Sequence, residues 1–186
     1  MNIPNLITLL RLLLAPVVIW LLLERQSSAA LALFILAGIT DALDGMLAKR
    51  LGQVTELGTY LDPIADKVLL VGIFITLGVM GGLPAWLVLL VVSRDMLIVG
   101  GVLLLYTMDF KIEMHPLMIS KINTVAQIIL IALVLGHEGV AQTQIVAVLI
   151  TYAIWLVALT TAASGCAYIY VWITATASSA SGGGNT

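Results

Sequence analysis

Four aspartates lie in two regularly spaced pairs within the segment DALDGMLAKRLGQVTELGTYLDPIADK. Asp41 and Asp44 are three residues apart, and Asp62 and Asp66 are four residues apart. On a helix these spacings place the members of each pair on one face, about one turn apart. Carboxylates held close together repel one another unless they are protonated or bound to cations. The segment therefore predicts a cluster of oxygen ligands for magnesium, manganese or calcium.

Two glycines, Gly52 and Gly58, lie between the aspartate pairs. Two helices joined in this region would run antiparallel and could bring the four carboxylates together. The alternative is a set of helix-end charges solvated at a membrane interface, which is common for one aspartate near a helix terminus. Two regularly spaced pairs around a glycine-containing turn make this alternative the weaker interpretation.

The composition is typical of an integral membrane protein. Of the 186 residues, 61% are hydrophobic and only 10% are charged, which is too apolar for an ordinary soluble domain. The formal net charge of −2 gives the chain as a whole no attraction to nucleic acid. The single cysteine, Cys166, excludes an intrachain disulfide and a cysteine-rich metal site.

Six apolar segments are long enough to cross a bilayer, which takes about 20 residues. We predict an all-α integral membrane protein whose six transmembrane helices are Leu6–Leu23, Ser28–Ala48, Leu57–Val79, Pro84–Tyr106, Pro116–Leu135 and Thr143–Ile173. These helices would form one domain over residues 1–177. The remaining Ser/Gly-rich tail, residues 178–186, is expected to be disordered.

Basic residues in the loops predict the orientation in the membrane. With an even number of spans and a cytoplasmic N-terminus, Lys49, Arg50 and Lys111 lie inside and Arg25 lies outside. The N-terminus has no basic region before its apolar stretch and no clear cleavage site, so we expect the first helix to be retained. We therefore predict a multi-pass protein of a bacterial inner membrane, with the aspartates near the cytoplasmic surface.

Basic residues inside the apolar segments predict an anion site beside the aspartates. Arg11, Arg94 and Lys121 lie in three different predicted spans, where a charge usually faces a partner or a wet cavity. If Asp95 points away from Arg94, as neighbours on a helix do by about 100°, Arg94 and Lys121 are left for an external anion. The alternatives are a structural ion pair at Arg94 and Asp95, and snorkelling of Lys121 and Arg11 to the surface.

The aspartate segment resembles the signature of the CDP-alcohol phosphatidyltransferases, D-x2-D-G-x2-A-R-x8-G-x3-D-x3-D. The eight fixed positions fall on Asp41, Asp44, Gly45, Ala48, Lys49, Gly58, Asp62 and Asp66. Only Lys49 departs from the signature, which has arginine at that position. Lysine keeps the positive charge but lacks the bidentate fork of arginine.

This resemblance implies a six-helix fold, a homodimer, and two divalent cations in a cavity open to the cytoplasm. The metal ligands would be Asp41, Asp44, Asp62 and Asp66. The last of these, Asp66, would also be the general base. The CDP group would lie against Gly45, Ala48, Lys49 and Gly58. The phosphate of the acceptor would be held by residues drawn from Arg94, Lys121, Arg11 and Asn123.

Three further segments, NIPNLITLLR, SRDMLIV and ISKINTVAQIIL, resemble the branch of phosphatidylglycerophosphate synthases and CMP-forming cardiolipin synthases. The last two look more like the cardiolipin synthases. The resemblance implies transfer of a phosphatidyl group from CDP-diacylglycerol to phosphatidylglycerol, with release of CMP. Asn123 favours that acceptor because the glycerophosphate-using branch has a second basic residue there.

Other functions stay open at this point. Glycerol 3-phosphate or another alcohol is an alternative acceptor for the same chemistry. A divalent-cation transporter is an alternative of a different class, because buried aspartates could form an ion path. A transporter predicts acidic residues spread through the membrane, whereas the aspartates here crowd one end of the predicted helices.

Overall fold

The structure, a computed structural model, describes the backbone of residues 3–51, 56–107, 118–140 and 142–182, and the side chains of residues 10–40, 67–100, 118–140 and 142–170. The described chain contains six α-helices and no strand, which confirms the all-α prediction. The helices are α1 (Ile3–Leu23), α2 (Ser27–Leu51), α3 (Glu56–Val79), α4 (Ala85–Thr107), α5 (Met118–Gly139) and α6 (Gln144–Gly182).

Two of these helices are long and apolar enough, over their described residues, to span a bilayer. They are Met118–Gly139 in α5 and Gln144–Tyr170 in α6. The described apolar stretches of three other helices are shorter, at Leu10–Leu23, Ser27–Thr40 and Lys67–Val79. Six membrane spans therefore stay a prediction, although each predicted span overlaps one helix of the structure.

The last helix is longer than its predicted span. Hydropathy predicts a span over Thr143–Ile173, and α6 continues beyond it to Gly182. The predicted domain end at residue 177 therefore falls inside α6, and the backbone is helical over the first part of the Ser/Gly-rich tail. The domain boundary at residue 177 and the disorder of the tail, residues 178–186, stay predictions.

Packing of α1 against α2 and α3 fixes the helices that carry the aspartates. Val18 and Leu22 on α1 are fully buried, as are Ile73, Phe74 and Leu77 on α3. Close side-chain packing of this kind holds helices together in lipid as well as in water. On the other side of the bundle, α5 packs against α2 and α6, and α4 packs against α3 and α6.

The end of α2 that is remote from the aspartates is held by α5. Ser27 Oγ donates to Glu138 Oε2 over 3.0 Å. Gly139 lies directly against the backbone of Ser27 and Ser28, so close that a Cβ at position 139 would lie 2.8 Å from the carbonyl carbon of Ser27. Only a glycine permits this approach, and α2 is therefore anchored about 20 Å from Asp41 along the helix axis.

Candidate functional site

The two halves of the signature lie on consecutive helices. Asp41, Asp44, Gly45, Ala48 and Lys49 all fall within the C-terminal part of α2. The second half, Gly58, Asp62 and Asp66, falls within the first turns of α3. The helical backbone gives the two aspartate pairs the spacing along one face that the sequence predicts.

The side chains from residue 41 to residue 66 lie outside the described residues. The metal ligands Asp41, Asp44, Asp62 and Asp66 therefore stay predictions, as do the CDP-binding residues Gly45, Ala48, Lys49 and Gly58. Among the side chains that the structure describes, no group of three or more histidine, cysteine, aspartate or glutamate residues could hold a metal ion.

A buried carboxylate, that of Asp95 on α4, bridges two basic side chains, one of which is Lys67, the residue that follows the signature. Arg94 Nη1 donates to Asp95 Oδ1 over 2.7 Å, and Lys67 Nζ lies 2.7 Å from Asp95 Oδ2. The side chains of Arg94 and Asp95 are only 4% and 3% exposed. Because Lys67 directly follows Asp66 on α3, this ion pair ties the helix of the predicted base to α4.

The predicted separation of Arg94 from Asp95 is wrong. Neighbouring side chains on a helix start in directions about 100° apart. The arginine side chain is nevertheless long enough to reach the carboxylate of Asp95. A guanidinium buried to this extent carries a desolvation cost of several kcal/mol, and pairing with the nearest carboxylate offsets part of it. The alternative interpretation, a structural ion pair, therefore describes part of what Arg94 does.

The remaining donors of Arg94 reach two other helices. Its Nη2 donates to Ser120 Oγ on α5 over 2.7 Å, and its Nε donates to Ser164 Oγ on α6 over 3.2 Å. The guanidinium carbon also lies 5.8 Å from the centroid of the Tyr168 ring on α6, within the range of a cation–π contact. Arg94 thus joins α4, α5 and α6.

The other three residues predicted to bind the acceptor phosphate occupy different surroundings. Lys121 follows Ser120 on α5 and is exposed. Asn123 is fully buried, and its Oδ1 accepts hydrogen bonds of 2.8 Å from both Thr160 and Thr161 on α6. Asn123 therefore links two helices. Its predicted contact with the acceptor stays untested.

Arg11 on α1 is buried, with 3% of its surface exposed. It lines a cleft of about 450 Å³ between α1, α2, α3 and α5 whose walls are otherwise almost entirely apolar. The structure thus gives the two arginines different surroundings. Arg94 lies among α4, α5 and α6, and Arg11 lies at a cleft between α1, α2, α3 and α5.

Two residues of the charged network were not predicted from the sequence. Lys67 directly follows the signature in the sequence, and this position was the only feature that could have indicated its role. Ser164 lies in an apolar helix, and nothing in the local pattern of α6 indicates which face meets α4. Only the packing of distant segments brings Ser164 to Arg94.

The carboxylate of Asp95 is expected to stabilise this part of the bundle strongly. Asp95→Asn should lower the free energy of unfolding by roughly 3 kcal/mol, because Arg94 would stay buried without its counter-charge. Unfolding of the purified protein in detergent measures the effect. Glu24→Gln, which removes an exposed carboxylate from the turn after α1, is the control and should change stability by less than about 0.5 kcal/mol. Equal stability of the two variants would contradict the assigned role.

Comparisons with known proteins point to one family. Residues 1–177 match the family model described as CDP-alcohol phosphatidyltransferase. The chain is 37% identical to CDP-diacylglycerol--glycerol-3-phosphate 3-phosphatidyltransferase 1, chloroplastic, of Oryza sativa subsp. japonica, over 90% of this chain and 56% of that protein. It is 34% identical to cardiolipin synthase (CMP-forming) of Rattus norvegicus, over 91% of this chain and 61% of that protein.

A bacterial relative is covered more completely. The CDP-diacylglycerol--glycerol-3-phosphate 3-phosphatidyltransferase of Bacillus subtilis is 34% identical, over 90% of this chain and 93% of that protein. By contrast, the chain spans only 56% of the rice protein and 61% of the rat protein. The relatives therefore include proteins named as glycerol-3-phosphate phosphatidyltransferases and a protein named as a cardiolipin synthase.

Proposed function

Because the chain belongs to the CDP-alcohol phosphatidyltransferase family, we propose that it is a membrane enzyme that transfers a phosphatidyl group from CDP-diacylglycerol to an acceptor hydroxyl and releases CMP. The observation that carries this proposal is the complete set of signature aspartates, with one pair on each of two consecutive helices. The similarity to the rice, rat and Bacillus proteins supports it.

The donor set of the signature fits hard divalent cations. Asp41, Asp44, Asp62 and Asp66 offer only carboxylate oxygens, the ligands that magnesium and manganese prefer. We propose that these four residues hold two such cations, whose chemistry is that of Lewis acids toward the pyrophosphate oxygens of the CDP-lipid.

The remaining steps fall to the side chains and backbone of the signature. Asp66 is the proposed general base and accepts the proton of the acceptor hydroxyl. The hydroxyl oxygen attacks the phosphorus that bears diacylglycerol, the bond from this phosphorus to the bridging oxygen breaks, and CMP leaves. Gly45 and Gly58 would let the CDP group lie close to α2 and α3, and Lys49 would add a positive charge beside it.

Phosphatidylglycerol is the acceptor that we propose, with cardiolipin as the product. Its support comes from the charges around Asp95: Lys67 and Arg94 contribute two positive charges and Asp95 one negative charge, which leaves a net charge of +1. A single net positive charge suits the single negative charge of a phosphodiester better than a phosphomonoester, which carries about −1.5 to −2.

Glycerol 3-phosphate is the second candidate acceptor. The rice and Bacillus relatives are named for it, and the Bacillus protein is covered over 93% of its length. With this acceptor the same donor, metal ligands and base would give phosphatidylglycerophosphate. The acceptor phosphate would then need a positive charge in addition to those of Lys67 and Arg94, and Lys121 is the described residue placed to supply it.

We further propose that the protein is a multi-pass homodimer of a bacterial inner membrane whose active site faces the cytoplasm. The apolar helices α5 and α6 support the membrane assignment. The bias of basic loop residues toward one side supports the orientation.

An acceptor comparison tests the proposed function. We expect the purified protein, given CDP-diacylglycerol and magnesium, to release CMP faster with phosphatidylglycerol than with glycerol 3-phosphate. The measurements are the rate of CMP release with each acceptor alone and the identity of the lipid product by mass spectrometry. Phosphatidylglycerophosphate without any cardiolipin would select the second candidate. Absence of CMP release with every alcohol tried would overturn the proposed reaction.

A further inference from the structure

The cleft that contains Arg11, called here the α2 cleft, is an apolar space without an assigned use. Its volume of about 450 Å³ lies within the range of about 300 to 1,000 Å³ that is usual for ligand sites. Phe34 and Gly38 from α2, Leu69 and Leu70 from α3, and Ile128 from α5 line it. The walls offer almost no hydrogen-bond partner, so they suit a hydrocarbon ligand.

The α2 cleft begins one helical turn from both halves of the signature. Gly38 precedes Asp41 by three residues, and Leu69 follows Asp66 by three residues, which is about 5 Å along either helix. From Gly38 the cleft continues along α2 to Phe34, away from the aspartates. A molecule whose polar end lies at the signature therefore has this cleft directly beside it.

The cleft is open toward the outside of the bundle. Ile39 on α2 is 52% exposed and Ile128 on α5 is 41% exposed, although both line the cleft. A hydrocarbon chain of a lipid could therefore enter between α2 and α5 from the side. Arg11 is buried and is the charged residue among those that line the cleft.

Gly38 borders empty space. A Cβ built at this position would meet no heavy atom within 4 Å. Gly38 is exposed and lines the cleft, so the open space beside it belongs to the cleft and its opening. The absent side chain of Gly38 thus contributes directly to the width of the cleft.

We infer that the α2 cleft holds an acyl chain of CDP-diacylglycerol and that the size of residue 38 determines which acyl chains the enzyme accepts. The inference rests on the proposed function. The donor lipid is the occupant because its reacting phosphorus must lie at the signature, so its diacylglycerol starts where the cleft starts. The acceptor's phosphate is instead expected near Arg94, which contacts α5 and α6 and does not line the cleft.

The test is to fill the cleft. Gly38→Leu introduces a side chain into open space, and leucine is a better helix former than glycine, so the fold should be retained. Gly100→Leu is the matched control, because a Cβ at Gly100 on α4 also meets nothing within 4 Å and Gly100 does not line the cleft. The readout is kcat/KM for CDP-dioleoylglycerol and for CDP-dihexanoylglycerol with one fixed acceptor.

We expect Gly38→Leu to lower the preference for the dioleoyl over the dihexanoyl donor by about tenfold, the lower end of the effect of one methylene in an apolar pocket. Gly100→Leu should leave this preference unchanged. An equal loss on both donors would overturn the inference. The same comparison can be made with dioleoyl and dihexanoyl acceptors and one fixed short-chain donor. If Gly38→Leu changed the preference between these acceptors instead, the assignment of the cleft to the donor would be overturned.

Two further measurements test the use of the cleft, one with a second variant and one without turnover. Ile128→Phe narrows the cleft from α5 and should shift the preference in the same direction. Equilibrium binding of the two CDP-lipids should show the same change without turnover. If the wild-type protein binds both lipids but releases no CMP, the proposed function fails, while the binding comparison still decides the use of the cleft.

Discussion

Asp66→Asn is expected to lower turnover by roughly two to four orders of magnitude, the usual contribution of a general base. Asparagine has the same shape as aspartate but cannot accept the proton of the acceptor hydroxyl. Much of the CDP-lipid site would remain, because the other three aspartates and the glycines of the signature are unchanged. The loss should therefore appear in kcat, with a much smaller change in the KM of CDP-diacylglycerol.

Asp41→Asn is the matched variant for this experiment, since it makes the same chemical change in the other half of the signature. It should raise the metal concentration needed for activity and weaken binding of the CDP-lipid. Both variants need a rate measured at saturating metal and substrate. Near-normal turnover of Asp66→Asn under those conditions would show that another group is the base.

Removal of divalent cations is expected to have a comparably large effect. EDTA should abolish CMP release, and excess magnesium or manganese should restore it, because four clustered carboxylates without cations would repel the pyrophosphate as well as each other. The rate as a function of free metal concentration measures the effect. Calcium in place of magnesium tests whether geometry matters as well as charge, since calcium accepts longer and more flexible coordination.

A binding measurement separates the metal site from other effects of the chelator. Magnesium should raise the unfolding temperature of the wild-type protein by binding the folded state, and this shift should shrink in Asp41→Asn. Full activity in the presence of the chelator would exclude the proposed role of the cations. If magnesium raised the unfolding temperature of Asp41→Asn as much as that of the wild-type protein, the metal would not bind at the signature.

The positions of the helices could be predicted from the sequence because they follow from local pattern. Six apolar runs of sufficient length were recognisable, and one helix of the described chain falls on each of them. Of the two glycines between the aspartate pairs, Gly58 lies in the first turn of α3, and Gly52 lies outside the described residues. α6 extends beyond the predicted span because hydropathy reports how much chain fits a bilayer, whereas helix formation continues through the Ala-containing stretch up to Gly182.

The partners of the buried charges could not be predicted in the same way. Angular spacing on a helix suggested that Arg94 and Asp95 would face apart, but a long flexible side chain and the cost of an unpaired buried charge outweigh this offset. The contact with Ser164 depends on how α6 meets α4. The spacing of the four aspartates, by contrast, could be recognised at once, because all of them fall within one short segment.

For α4 as a predicted membrane span, the adjacency of Arg94 and Asp95 has a consequence for insertion during synthesis. Ser164 lies 70 residues after Arg94, so at about 5 to 20 residues per second it is made roughly 4 to 14 seconds later. A lone arginine or aspartate at the centre of an inserting helix costs about 2.5 to 3.5 kcal/mol. Asp95 is the next residue to be added, so the guanidinium has a counter-ion from the start. The predicted span can then be inserted with Arg94 and Asp95 as a neutral ion pair, long before α6 is synthesised.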